Sequence, residues 1–180
     1  MRVETTDSER ATAAMLARAC DLAFVGKKPR DRRLTAQVFG SDEVVLVTRA
    51  NDSFAPDGKL TLSQLAEVPL ILREQGSGTR DAIARILPHL GEGGPALRVD
   101  STEAAKRCVQ HGLGLAFVSR QAIEAELAAK SFRVVELPGT PVRRAFYAVH
   151  QRSVTLSKAA RELLDLAVQR NRQHASVDSG

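Results

Sequence analysis

Pro69-Leu70-Ile71-Leu72-Arg73-Glu74-Gln75-Gly76-Ser77-Gly78-Thr79-Arg80 is an apolar run followed by a serine bracketed by two glycines. A short apolar run bounded by turn residues reads as a buried strand, and the residues after it carry helical periodicity. The stretch is therefore a strand-to-helix junction, and downstream it recurs. The pattern predicts a strand over 70–73 with a helix over 79–90, a strand over 97–100 with a helix over 102–111, and a strand over 113–118 with a helix over 120–130. Strands alternating with crossover helices predict an α/β fold with mostly parallel sheets.

Upstream, the spacing predicts a helix over 6–19, opened by the capping box Thr6-x-x-Glu9 and burying Ala11, Ala14, Met15 and Ala19. A strand over 21–25 follows, then a loop rich in Lys and Arg. Two strands are expected over 34–39 and 43–48, parted by a turn at Gly40-Ser41-Asp42. The segment Thr61 to Ala66 leads through Pro69, where the chain is expected to enter a second lobe. Strands over 132–137 and 145–149 precede a helix carrying the stripe Leu156, Ala159, Ala160, Leu163, Leu164, Ala167 and Val168, and the tail from Asn171 is expected to fray. This divides the chain into lobe one, 1–68 with 145–180, and lobe two, 69–144.

The 180 residues, 43% hydrophobic and 26% charged, have a globular composition, which excludes fibrous and disordered classes. No apolar run approaches the roughly 18 residues of a spanning helix, and no signal-peptide pattern opens the chain, so a cytoplasmic protein without membrane contact is expected. The formal charge of +5 is scattered, and its one cluster, Lys27, Lys28, Arg30, Arg32 and Arg33, reads as a solvated loop. Cys20 and Cys108 lack metal or disulfide spacing and read as small buried residues. His89, His111, His150 and His174 show no metal spacing either, so no metal, no cofactor and no catalytic residue is expected. Asp81 and Glu103, in first helical turns, read as helix-dipole partners rather than acid-base groups.

Gly76, Ser77, Gly78 and Thr79 stand where backbone N–H groups emerge unpaired. Glycine freedom, two hydroxyls and the helix dipole favour a small anion there. A turn capped by Ser77 with no ligand satisfies the same residues. Ser101 and Thr102 repeat the arrangement at the next junction. The spacing matches neither a Walker A loop nor a nucleophile elbow. Gly112-Leu113-Gly114 lacks the third glycine of a dinucleotide fingerprint and reads as a helix end.

Taken in order, several pieces together resemble the effector-binding domain of LysR-type transcriptional regulators over nearly the whole chain. They are Cys20 to Val25, Asp42 to Val47, Thr61 to Leu65, Pro69 to Arg73 with its Gly-Ser-Gly-Thr-Arg, Val109 to Ser119, and Ser157 to Leu164. The resemblance implies a two-lobed fold similar to type 2 periplasmic binding proteins, a small effector between the lobes, and no enzyme activity. It implies effector contacts from Ser77, Gly78 and Thr79, with Ser101, Thr102 and Ser119 nearby, and pairing into a homo-oligomer. Met1 to Thr5 aligns with the family's second strand, so lobe one is expected to lack its first strand and helix, and direct DNA binding through a helix-turn-helix domain is not expected of this chain. The alternatives are a solute receptor of the same fold, which would carry an export signal, and a truncated remnant.

Overall fold

A computed structural model describes residues 2–90 and 95–177. The chain forms two compact units, residues 1–41 with 145–180, and residues 42–144.

In the first unit, α1 (Ser8–Leu16) is capped by Asp7, whose carboxylate accepts from the backbone N–H groups of Glu9 and Arg10, so the predicted Thr6 box gives way to a shorter helix. A carboxylate one residue later reaches both orphan donors by itself. Strand β1 (Ala23–Val25) pairs antiparallel with β7 (Val142–Gln151), Ala23 opposite Val149. Alternation sends Ala23 and Val25 into a core with Met15, Leu34 and Val149, and leaves Phe24 on the other face, its ring 4.9 Å from that of Phe39. The basic residues between β1 and β2 lie in a loop, where Arg33 pairs with Asp31 and holds its carboxyl down at about 2. The last helix, α6 (Lys158–Val177), continues past the expected fraying point at Asn171. Residues 178–180 of that expected tail lie outside the described residues.

Strand β2 (Leu34–Arg49) is one strand of 16 residues, not two with a turn. The turn-forming composition of Gly40-Ser41-Asp42 is overridden because the chain stays extended and Asp42 finds its partners elsewhere, as described below. The division into units falls at Ser41/Asp42 and at Arg144/Ala145. Residues 42–68 group with the second unit because Val44 to Val47 pair antiparallel with β5 (Leu115–Ser119) and Leu46 to Arg49 with β6 (Phe132–Val135).

The strands of the second unit run in the order β6, β2, β5, β3 (Leu70–Arg73), β4 (Ala96–Val99). Strand β3 pairs parallel with both β4 and β5, the stretch with the strand-helix alternation. Apolar side chains fill both faces. Val44, Leu46, Leu70, Leu72, Leu115 and Phe117 pack with Ala82 and Ile83 of α3 (Gly78–Ala84) and Leu65 of α2 (Leu62–Glu67). Val45, Val47, Ile71, Ala116 and Val118 pack on the opposite face with Ala105 and Val109 of α4 (Thr102–Gln110) and with Ile123. A sheet covered on both faces needs such continuous apolar strands. The helix expected over 79–90 is the short α3, and that over 120–130 is a 3-10 turn (Gln121–Ile123) running into α5 (Glu124–Ala128).

Helix α4 ends as expected at Gly112, where the N–H groups of Gly112 and Leu113 donate to the carbonyls of Val109 and Cys108. At Gly114 a Cβ would collide with the Pro69 carbonyl, which accepts from the Leu115 N–H at 2.9 Å. Only glycine lets β5 begin its pairing beside β3 at that distance. Cys20 and Cys108 are free and half-buried, each packed beside a core, and burial pushes the Cys20 thiol up.

Candidate functional site

The junction after β3 is fixed by its own backbone. Gly76 sits at a φ of 91°, the Ser77 N–H donates to the Glu74 carbonyl at 3.3 Å, and Arg80 Nη1 donates to the Arg73 carbonyl at 3.0 Å. Gly76, Ser77, Gly78 and Thr79 are all buried, and Ser77 is only 2% exposed. Ser77 occupies the N-cap position of α3, yet its hydroxyl makes no cap hydrogen bond.

The Thr79 hydroxyl, 6% exposed as a residue, accepts from Arg144 Nη1 at 3.0 Å. Arg144 in turn lies against Asp42, its Nε and Nη2 each 2.8 Å from Oδ2. Ser119 Oγ donates to Asp42 Oδ1 at 2.9 Å and accepts from the Ala122 N–H at 3.4 Å. The side chains of this ion pair are 0% and 9% exposed for Asp42 and Arg144, so the attraction acts with little screening. One network thus joins Thr79 and Ser119 through two charged residues that the sequence reading does not single out. Asp42 and Arg144 stand 102 positions apart, and no local spacing links them.

The second junction is built alike from different parts. Ser101 caps α4, its Oγ accepting from the Ala104 N–H at 3.1 Å. Thr102 Oγ1 accepts from Arg73 Nη1 at 2.8 Å, while Nε and Nη2 of Arg73 hold both oxygens of Glu74 at 2.9 and 2.7 Å. Arg73 also donates to the Asp100 carbonyl at 3.2 Å. Glu103, in the first turn of α4, bonds Lys106 at 3.1 Å, in keeping with a structural role.

A cavity of about 70 Å³ within the second unit is lined by Arg73, Thr79 and Arg80 together with apolar residues including Ile71, Ile83 and Phe117. Of the candidate residues, Thr79 alone lines it. An apolar groove of about 300 Å³ beside α2 contains none of them. Among the described residues no helix is long and apolar enough to cross a membrane.

A family model described as the LysR substrate binding domain matches residues 1–172. The chain is 32% identical over 161 residues to the RuBisCO operon transcriptional regulator of Allochromatium vinosum, which covers 89% of this chain and 53% of that protein. It thus spans about half the length of that regulator. Among solved structures it is similar to the CcmR regulatory domain of Synechocystis PCC6803 in complex with 2-PG, with a TM-score of 0.79, 23% identity and coverage of 94% of this chain and 82% of that one. It is also similar to the effector binding domain of QuiR in complex with shikimate, with a TM-score of 0.75, 17% identity and coverage of 93% and 79%.

Proposed function

Because the chain belongs to the LysR substrate binding domain family, the effector-binding domain of LysR-type transcriptional regulators, we propose that it binds a small anionic effector without turnover at the junction of β3 and α3. Gly76, Ser77, Gly78 and Thr79 are the principal contacts, and Ser101, Thr102 and Ser119 complete the polar surroundings. The observation that carries this reading is Ser77, which is buried at an N-cap position and makes no cap bond. A hydroxyl not spent on the helix end is available to bond a ligand oxygen. Thr79 supports the same reading, since a hydroxyl that accepts from arginine keeps its own proton for another acceptor.

Within a longer regulator, occupancy of this domain in the cytoplasm would bias the geometry of a homo-oligomer and through it transcription. Similar folds hold 2-PG and shikimate, which are therefore the first ligands to try. The test is thermal unfolding of the chain with shikimate, 2-PG or inorganic phosphate. A ligand at 100 times its Kd adds about 2.7 kcal/mol. At least one of them should raise Tm in wild type and not in Ser77→Pro/Thr79→Val. An equal rise in both proteins places the site elsewhere.

A further inference from the structure

We propose that the buried Asp42–Arg144 pair sets the hydrogen-bond polarity of the effector site, making Thr79 a donor and Ser119 an acceptor toward the ligand. The proposal rests on the effector reading above and adds to it the class of effector that fits. Arginine has five N–H donors and no acceptor, so when Arg144 Nη1 lies 3.0 Å from Thr79 Oγ1 the hydroxyl must accept. Its own proton then points away from Arg144. An ionised carboxylate only accepts, so Asp42 Oδ1, 2.9 Å from Ser119 Oγ, takes the serine proton. The second hydroxyl is left with a lone pair, one other being used by Ala122 N–H at 3.4 Å.

The two ends of one ion pair therefore impose opposite polarities on two hydroxyls of the candidate site. Neither polarity can reverse while the pair stays charged. Because the pair is buried and bonded to itself, its net charge is zero, and it does not simply attract anions. It orients dipoles that suit an oxyanion at Thr79 and an O–H or N–H donor at Ser119. The ligand class is an acid that also carries a hydroxyl or amine. Arg144 and Asp42 are positioning residues here, acting through Thr79 and Ser119.

The decisive probe is shikimate, which has a carboxylate and hydroxyls, against two analogues. Methyl shikimate lacks the charge, and 1-cyclohexene-1-carboxylate lacks the donors. Binding of all three is measured by calorimetry to wild type and to Asp42→Asn/Arg144→Gln, whose amides keep the pair's neutrality but let each hydroxyl turn either way. Wild type should prefer shikimate over both analogues, and in the double variant both preferences should fall by about tenfold. A pair that is only structural would change all three affinities alike, so unchanged preferences overturn the polarity proposal alone. Absence of saturable shikimate binding to wild type overturns the effector reading on which it stands. Should the double variant fail to fold, Thr79→Ser must keep the preference for shikimate over its ester and Thr79→Val must lose it; equal preferences in these two overturn the proposal.

Discussion

The two strand-to-helix junctions of the second unit, after β3 and after β4, are written alike, each with a serine at the N-cap and a threonine within the next two residues. Each threonine accepts from an arginine held by a carboxylate, Thr79 from Arg144 with Asp42 and Thr102 from Arg73 with Glu74. They differ in what is left over. Ser101 spends its hydroxyl on the Ala104 N–H, while Ser77 makes no cap bond at all. They differ also in reach, since Arg73 and Glu74 are sequence neighbours and Asp42 and Arg144 bring distant strands together. We propose that the effector is held chiefly at the junction after β3, whose serine makes no cap bond and whose charged partners come from distant strands.

The largest effect that tests this difference is on stability. Asp42→Ala removes the carboxylate that lies against the buried Arg144 guanidinium, a change that costs about 3–5 kcal/mol in buried pairs. The matching change at the other junction, Glu74→Ala, removes a carboxylate whose side chain is 26% exposed and should cost about 1 kcal/mol or less. Urea unfolding of the two variants measures both, and equal losses would erase the distinction between the junctions. The serines give a smaller and opposite contrast. Ser101→Ala should cost about 1 kcal/mol for the lost cap. Ser77→Ala should change the stability of the ligand-free chain by less than about 0.5 kcal/mol, because no bond is lost, while weakening anion-induced stabilisation. A Ser77→Ala loss as large as that of Ser101→Ala would mean that Ser77 caps α3 in solution.

Much of this contrast is hidden from the sequence, and the reason is physical. The alternation from Leu70 to Ser119 is legible because β3 and β5 are buried on both faces and each helix follows a polar residue. The residues Gly76 to Thr79 are legible as a junction for the same reason. Gly40-Ser41-Asp42 misleads because turn composition is a local preference, whereas Asp42 is satisfied by Arg144 and Ser119, which local rules do not see. Thr6 misleads by one position because Asp7 is the stronger competitor for the same N–H groups. The polarity of Thr79 and Ser119 depends on which partners reach them in three dimensions, and that is information a spacing pattern does not contain.

The smallest predicted effect concerns how the middle of α4 is fastened. Lys106 bonds Glu126 of α5 at 2.8 Å and Glu103 at 3.1 Å, with both Lys106 and Glu126 side chains 13% exposed. Burial by itself would raise the Glu126 carboxyl, but the hydrogen bond and charge of Lys106 together with a backbone hydrogen bond outweigh it and hold the group below its ordinary value of 4.5. Burial likewise pulls the Lys106 ammonium down, and the bonds to Glu126 and Glu103 outweigh it, leaving the group above 10.5. A carboxyl depressed on folding adds stability above its unfolded pKa and loses it as pH falls through the folded value. An ammonium raised on folding adds stability below its unfolded pKa and loses it as pH rises through the folded value. The contribution of the pair is therefore complete between about 4.5 and 10.5 and fades outside both limits. Wild type should exceed Glu126→Gln in unfolding free energy near neutral pH, and the gap should narrow as pH is taken below 4.5. A gap that stays constant into acid would show that α4 is held there by packing of Ala105 and Val109 rather than by charge, and the two junctions would then differ only at their N-caps and at the buried pair.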